Sequence, residues 1–171
     1  MQDAQTVTQL LRASRSGSGD DLDRLFSLLY DELRRIAHRQ LLGQPRDGTL
    51  NTTALIHEAY LRMVDQTQAD WEDRARFFAY AARTMRAIIV DSARRRCARK
   101  RGGHLSHVSF DDRDLPVEAQ ADAILAVDTA LTRLTEVSER LSRIVECRFF
   151  GGMSLDETAV ALSVSDRTVR R

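Results

Sequence analysis

"DRARFFAYAARTMRAIIVDSARRRCAR", residues 73–99, decides how the rest of the chain is read. No glycine or proline interrupts it. On a helical wheel Phe77, Phe78, Ala81, Met85, Ile88 and Ile89 share one side. Arg83, Arg86 and Arg94 fall opposite, within about 80° of one another, with Tyr80 and Ala87 flanking them. The spacing predicts one long helix, clamped to a core by its apolar face and showing a guanidinium row to solvent. Beyond Arg94 the charges, Arg95 among them, spread around the axis, so the helix is expected to leave the body as a basic prong.

Charge along the chain sharpens that reading. Residues 74–101 carry ten basic residues against one acid, while residues 1–73 and 102–171 each carry eight basic residues against twelve acids. The formal charge of +1 therefore hides one cationic segment between two mildly acidic ones. A local excess of this kind concerns partners more than fold. A row of cations at helical spacing suits a phosphate backbone. Cations near a helix C-terminus also complement its dipole, but that need is met by two or three arginines.

Working outward, the pattern stays helical. Residues 20–42 place Leu22, Leu25, Leu28, Leu29, Leu33, Ile36 and Ala37 at near-helical spacing, after the break "SGSGDD". "GQPRDG" at 43–48 is a loop. Residues 53–65 put Leu55, Ile56, Ala59, Tyr60, Met63 and Val64 on one stripe. "GGHLSHVSFDDRDLPVEAQ", 102–120, loses the helical period and reads as an acidic linker. Helices are expected again at 121–134 (Ile124, Val127, Leu131, Leu134), 138–149 (Leu141, Ile144, Val145, Phe149) and 154–162 (Leu155, Ala159, Leu162). The fold class is all-α: two small helical domains, 1–101 and 121–171, joined by the linker 102–120.

"SLDETAVALSVSDRTVRR", 154–171, is the second informative stretch. Ser154 with Glu157 makes a capping box. "SVS" makes a short turn, and Ser165 can cap the next helix. Ala159, Ser163 and Val169 stand where a helix-turn-helix needs a small residue, a turn and a branched apolar residue. The second helix would offer Arg167, Thr168, Arg170 and Arg171 to a major groove. An ordinary helical hairpin is the plainer alternative.

No enzyme is read from the sequence. "HEAYL" at 57–61 begins like a zinc-protease motif, but Leu61 stands where the second histidine belongs. His38, His104 and His107 show no ligand spacing with Cys97 or Cys147. No phosphate-binding glycine loop and no Gly-x-Ser-x-Gly occurs, and no cofactor or metal is expected. No apolar run approaches a membrane span, and no secretory signal is read, so a cytoplasmic location with free thiols is expected.

Two helical units, the first ending in a basic helix and the second holding a helix-turn-helix, resemble an extracytoplasmic-function (ECF) sigma factor of bacterial RNA polymerase. The resemblance runs over nearly the whole chain. It is carried by "TALIHEAYLRMV", "FFAYAARTMRAIIVDSARRRCARKRGG" and "LSRIVECRFFGGMSLDETAVALSVSDRTVRR". It implies that residues 1–101 form sigma region 2 and 121–171 sigma region 4. His57, Glu58, Leu61 and Arg62 would face the clamp coiled coil of the polymerase, and region 4 its flap. Arg83, Arg86, Arg94 and Arg95 would hold strand phosphates at the −10 promoter element, with Tyr80 stacked on an unpaired base. Arg167, Thr168 and Arg170 match the start of the −35 recognition helix. The linker would thread toward the active centre, and an anti-sigma protein is a further partner of such factors.

Two departures stand out. Many members carry asparagine where this chain has Ala87, which bears on base choice at the −10 element. Members also usually continue past the position of Arg171, so the resemblance implies either a longer native chain or short −35 contact. Two other readings remain at this level: a helix-turn-helix regulator that binds DNA without polymerase, and an RNA-binding helical protein using only the basic helix.

Overall fold

A computed structural model describes residues 7, 9–11, 19–42, 50–65, 73–101 and 117–171. Among the described residues every regular element is a helix. In chain order these are α1 (Gly19–Leu28), α2 (Tyr30–Leu41), α3 (Thr52–Val64), α4 (Arg74–Arg101), α5 (Val117–Val137), α6 (Glu139–Val145), a π-helical turn (Glu146–Phe150), α7 (Leu155–Leu162) and α8 (Asp166–Arg170). No described helix is long and apolar enough to cross a membrane.

The first core is built where the periodicity places it. Leu25 and Leu33, Leu55, Ala59 and Met63, and Phe77, Ala81, Met85 and Ile88 are buried together, with Val7 and Leu11 closing one side. Phe77 sits edge-on to Phe26 and to Phe78, at centroid distances of 5.8 and 5.5 Å. The expected single helix at 20–42 is interrupted at Leu29, whose φ of −104° and ψ of 12° leave the helical region. The Leu25–Leu29 and Leu29–Leu33 backbone bonds persist at 3.0 Å, so the interruption bends the path without ending it.

Local capping follows the sequence closely. Asn51 accepts from the Ala54 amide at 2.9 Å and starts α3. Ser154 and Glu157 form the reciprocal capping box of α7, at 3.1 and 2.7 Å. Ser165 accepts from the Thr168 amide and starts α8. Each cap satisfies backbone donors that a helix start leaves orphaned.

Three expectations are corrected. Helix α5 starts at Val117, so residues 117–120 of the expected linker are helical. Burial explains the extra turn, because Gln120 and Ala121 pack in the interior. The linker proper, 102–116, lies outside the described residues. Second, the helix expected at 138–149 gives way at Glu146 to a π turn. That extra residue per turn rotates the helix face. Ser142, Glu146 and Cys147 are buried, while Leu141 and Phe149, expected to face inward, are exposed. Third, α4 is covered on two sides, with Ala82, Val90 and Ala93 buried as well as the expected apolar face.

Burial pushes the Cys147 thiol up to about 11, and the neighbouring Glu146 carboxylate adds to this while Arg143 opposes it. The native chain therefore holds this proton more tightly than the unfolded chain does. Stability from this group should be intact below pH 9.0 and be lost as the pH rises toward about 11. At neutral pH iodoacetamide should modify the half-buried Cys97 first and Cys147 only on unfolding. Equal labelling rates in the native chain would contradict that burial.

Candidate nucleic-acid interface

Helix α4 carries the cationic face. Its apolar residues anchor it in the core, so the arginine directions are set by helix geometry and not by loop conformation. Arg83, Ala87, Arg94 and Arg95 are exposed. Tyr80 is half-buried against the core, and burial raises its phenol pKa while the Arg83 charge opposes the rise.

Arg86 departs from the expected solvent-facing row. Its Nη1 donates to Asp128 Oδ1 of α5 at 2.8 Å, and its Nη2 lies 2.9 Å from Glu146 Oε1 of the π turn. The Arg86, Asp128 and Glu146 side chains are only 18%, 17% and 12% exposed. The guanidinium also lies over the Phe150 ring, 5.6 Å from its centroid. Arg94 donates to the other Asp128 oxygen at 2.9 Å but stays 62% exposed. The physical reason is charge complementarity. The acidic C-terminal helices lie along the cationic helix, and a half-buried guanidinium requires carboxylate partners there. Nothing in hydrophobic periodicity points to Asp128 or Glu146 as those partners; only their charge hinted at it.

Other contacts join the same elements. Arg76 donates to Ser163 Oγ at 2.7 Å, and Gln40 donates to the Phe150 carbonyl at 3.2 Å. Gly152, at φ +63°, passes so close to Arg39 that a Cβ there would lie 0.8 Å from its Nη1.

Helices α7 and α8 are joined by a tight turn. Ser163 adopts a left-handed conformation (φ 54°, ψ 41°), and the Val164 amide donates to the Ala159 carbonyl at 3.0 Å. Ala159 is buried, as a close helix contact demands. Arg167, Arg170 and Arg171 are exposed on or beside α8, with Arg170 donating to Asp166 at 2.7 Å. Thr168 is half-buried, its hydroxyl 2.8 Å from that of Ser165.

A family model described as ECF sigma factor matches residues 4–171. The chain belongs to the ECF sigma factor family. Among curated proteins and among solved structures no significant match was found. As a sigma factor the chain acts in transcription initiation, with RNA polymerase and promoter DNA as its partners.

The remaining predicted residues of this sigma factor lie on α3. His57, Glu58 and Leu61 are exposed on the side away from Ala59 and Met63. Arg62, predicted on the same free face, bends back toward α4. It lies 3.1 Å from Asp91 and 3.4 Å from Glu58. The structure thus groups His57, Glu58 and Leu61 as one patch and leaves Arg83, Ala87, Arg94 and Arg95 exposed on α4, with Arg86 alone of the predicted arginines there drawn under the C-terminal helices and Arg94 tied to the same Asp128.

Proposed function

We propose that this sigma factor recognises promoters through two separate helical faces, residues 1–101 supplying the −10 contacts and 121–171 the −35 contacts. The face of α4 holds the opened strand: Arg83, Arg86, Arg94 and Arg95 bind phosphates, Tyr80 stacks on an unpaired base, and Ala87 stands among them as the short side chain. Helix α8 presents Arg167, Thr168, Arg170 and Arg171 to the −35 major groove. His57, Glu58, Leu61 and Arg62 contact the polymerase clamp, region 4 meets the flap, and residues 102–116 span the distance between. An anti-sigma protein would compete for these same surfaces.

The observation that carries this reading is the anchoring of α4. Phe77, Ala81, Met85 and Ile88 are all but fully buried, so a rigid helix displays its cations at a regular rise. Rigid display is what backbone binding needs, because each phosphate must meet its cation without further ordering cost.

Run-off transcription with core polymerase over a pool of promoters tests the reading directly. A chain that binds DNA alone but never redirects polymerase would favour the stand-alone regulator. For the clamp face, Glu58→Arg with Leu61→Ala should weaken core binding about tenfold or more, the scale of losing a small interface anchor. Helical content should not change, since both side chains are exposed. Competition against another sigma factor reads the affinity, and an unchanged value would remove α3 from the interface.

A further inference from the structure

We propose that Asp166 is a positioning residue for promoter reading: its carboxylate takes the Nε edge of Arg170 and aims the two Nη groups at a guanine of the −35 element. This rests on the reading of α8 as the −35 recognition helix, and it divides the work among the residues that helix carries.

The ion pair splits the guanidinium into an occupied edge and an open one. Arg170 Nε donates to Asp166 Oδ2 at 2.7 Å, one helical turn back. A guanidinium has a side edge that includes Nε and an end edge formed by its two Nη groups. Among the described residues Arg170 makes no other hydrogen bond or ion pair, so its end edge is left for a second partner. The O6 and N7 acceptors of guanine in a major groove match that end edge as a bidentate pair. A phosphate needs only a nearby cation, whereas a base edge needs the fork held in one plane. Fixing the plane of Arg170 therefore matters for sequence and little for backbone contact.

The pair differs from an ordinary exposed pair. Asp166 is half-buried, and its Oδ1 is shut off from solvent and accepts no hydrogen bond. That placement costs solvation, which two fully exposed charges would not incur. The carboxylate is thus packed in place and its second oxygen is committed to Arg170. The neighbours on α8 are placed for other tasks. Thr168 is half-buried, with its amide and its hydroxyl both tied to Ser165. Arg167 and Arg171 are exposed and form no ion pair among the described residues, which suits cations that meet phosphates.

Charge supplies a signature that separates aiming from a structural role. Asp166 brings a negative charge toward a polyanion, which lowers affinity for every sequence. Its removal should raise affinity for DNA at large while lowering discrimination. An acid in the first turn also supports a helix start, and losing that support would lower binding on all sequences alike.

Holoenzyme made with the full chain and core polymerase is offered promoters randomised over the −35 stretch. The preferred sequence is then changed one base pair at a time, and filter binding gives the Kd of each. The parent chain should prefer guanine about tenfold or more at one position, and Arg170→Ala should flatten that preference. Asp166→Ala should reduce the preference about fivefold at the same position and leave the other positions unchanged. It should bind the unselected pool as tightly as the parent or more tightly. Asp166→Asn keeps an acceptor for Nε without the charge, and should retain most of the preference. A uniform loss across all positions in Asp166→Ala, or an unchanged preference at the Arg170 position, would overturn the proposal. The first would make Asp166 a helix-start residue, and the second would leave Arg170 aimed without it; either would leave α8 as the reading helix. If Arg170→Ala altered no position, the reading of α8 itself would fail and the proposal with it.

Discussion

Phe77→Ala is expected to destabilise the fold by about 3–5 kcal/mol, the usual cost of emptying a fully buried aromatic site. Phe77 is 0% exposed and packs edge-on to both Phe26 and Phe78. Its removal breaks both ring contacts and opens a void between α1 and α4, which relaxation of the surrounding core can fill only in part. Small domains have roughly 5–15 kcal/mol to lose, so the variant would sit close to unfolding. Urea denaturation followed by circular dichroism measures the loss. Phe78→Ala should cost less, because Phe78 lies at the rim with the Arg74 guanidinium over its ring. A loss below about 1 kcal/mol at Phe77 would mean that α4 is not anchored as described, and the rigid display of its arginines would go with it.

The second large effect is at Arg86, and it differs in kind from that at Arg83. Arg86→Ala leaves Glu146, a carboxylate of which 12% is exposed, without a cation, and leaves Asp128 with Arg94 alone. Removing one member of a desolvated ion network costs roughly 3 kcal/mol, mostly through the charge left behind. The loss should appear as weaker docking of α5 and the π turn, read as faster amide exchange there, with the helices of the first core protected as before. Arg83→Ala should leave stability within about 0.5 kcal/mol, as exposed substitutions do. In the polymerase complex the two should converge. Each is expected to flatten the salt dependence of promoter binding by up to about 0.7–0.9 units, one phosphate contact apiece. Equal stability of the two variants would dissolve the Arg86 network. Equal salt slopes to the parent chain would make the stripe a solvated face.

The two arginines show where sequence reading reaches its limit. They lie three residues apart on one helix face, so periodicity assigns them the same environment. In the folded chain one is exposed and the other is held between two carboxylates. Arg62 gives the same lesson on α3, where its long side chain leaves the free face to reach Asp91. Periodicity reports the direction of a Cα–Cβ bond, whereas a flexible arginine ends where its best partner is.

The π turn is a second case. The apolar residues Leu141, Ile144, Val145 and Phe149 predict an inward stripe, and a regular helix would place them so. The interruption at Glu146 turns Phe149 to 74% exposure and brings Glu146 and Cys147 inside. No local propensity announces that change. In this arrangement Glu146 meets Arg86 of α4 at 2.9 Å.

What could be read from the chain alone is therefore everything set by neighbours in sequence. The apolar faces of α3 and α4, the caps at Ser154 and Ser165, the turn at Ser163 and the all-helical class depend on spacings of one to four residues. The three motifs that resemble the ECF sigma family are of the same local kind. The burial of Arg86, the start of α5 at Val117, the π turn and the covering of α4 by the C-terminal helices were settled by contacts between residues tens of positions apart. Such contacts depend on how two preformed helical surfaces match in shape and charge, and that match is a property of the assembled fold.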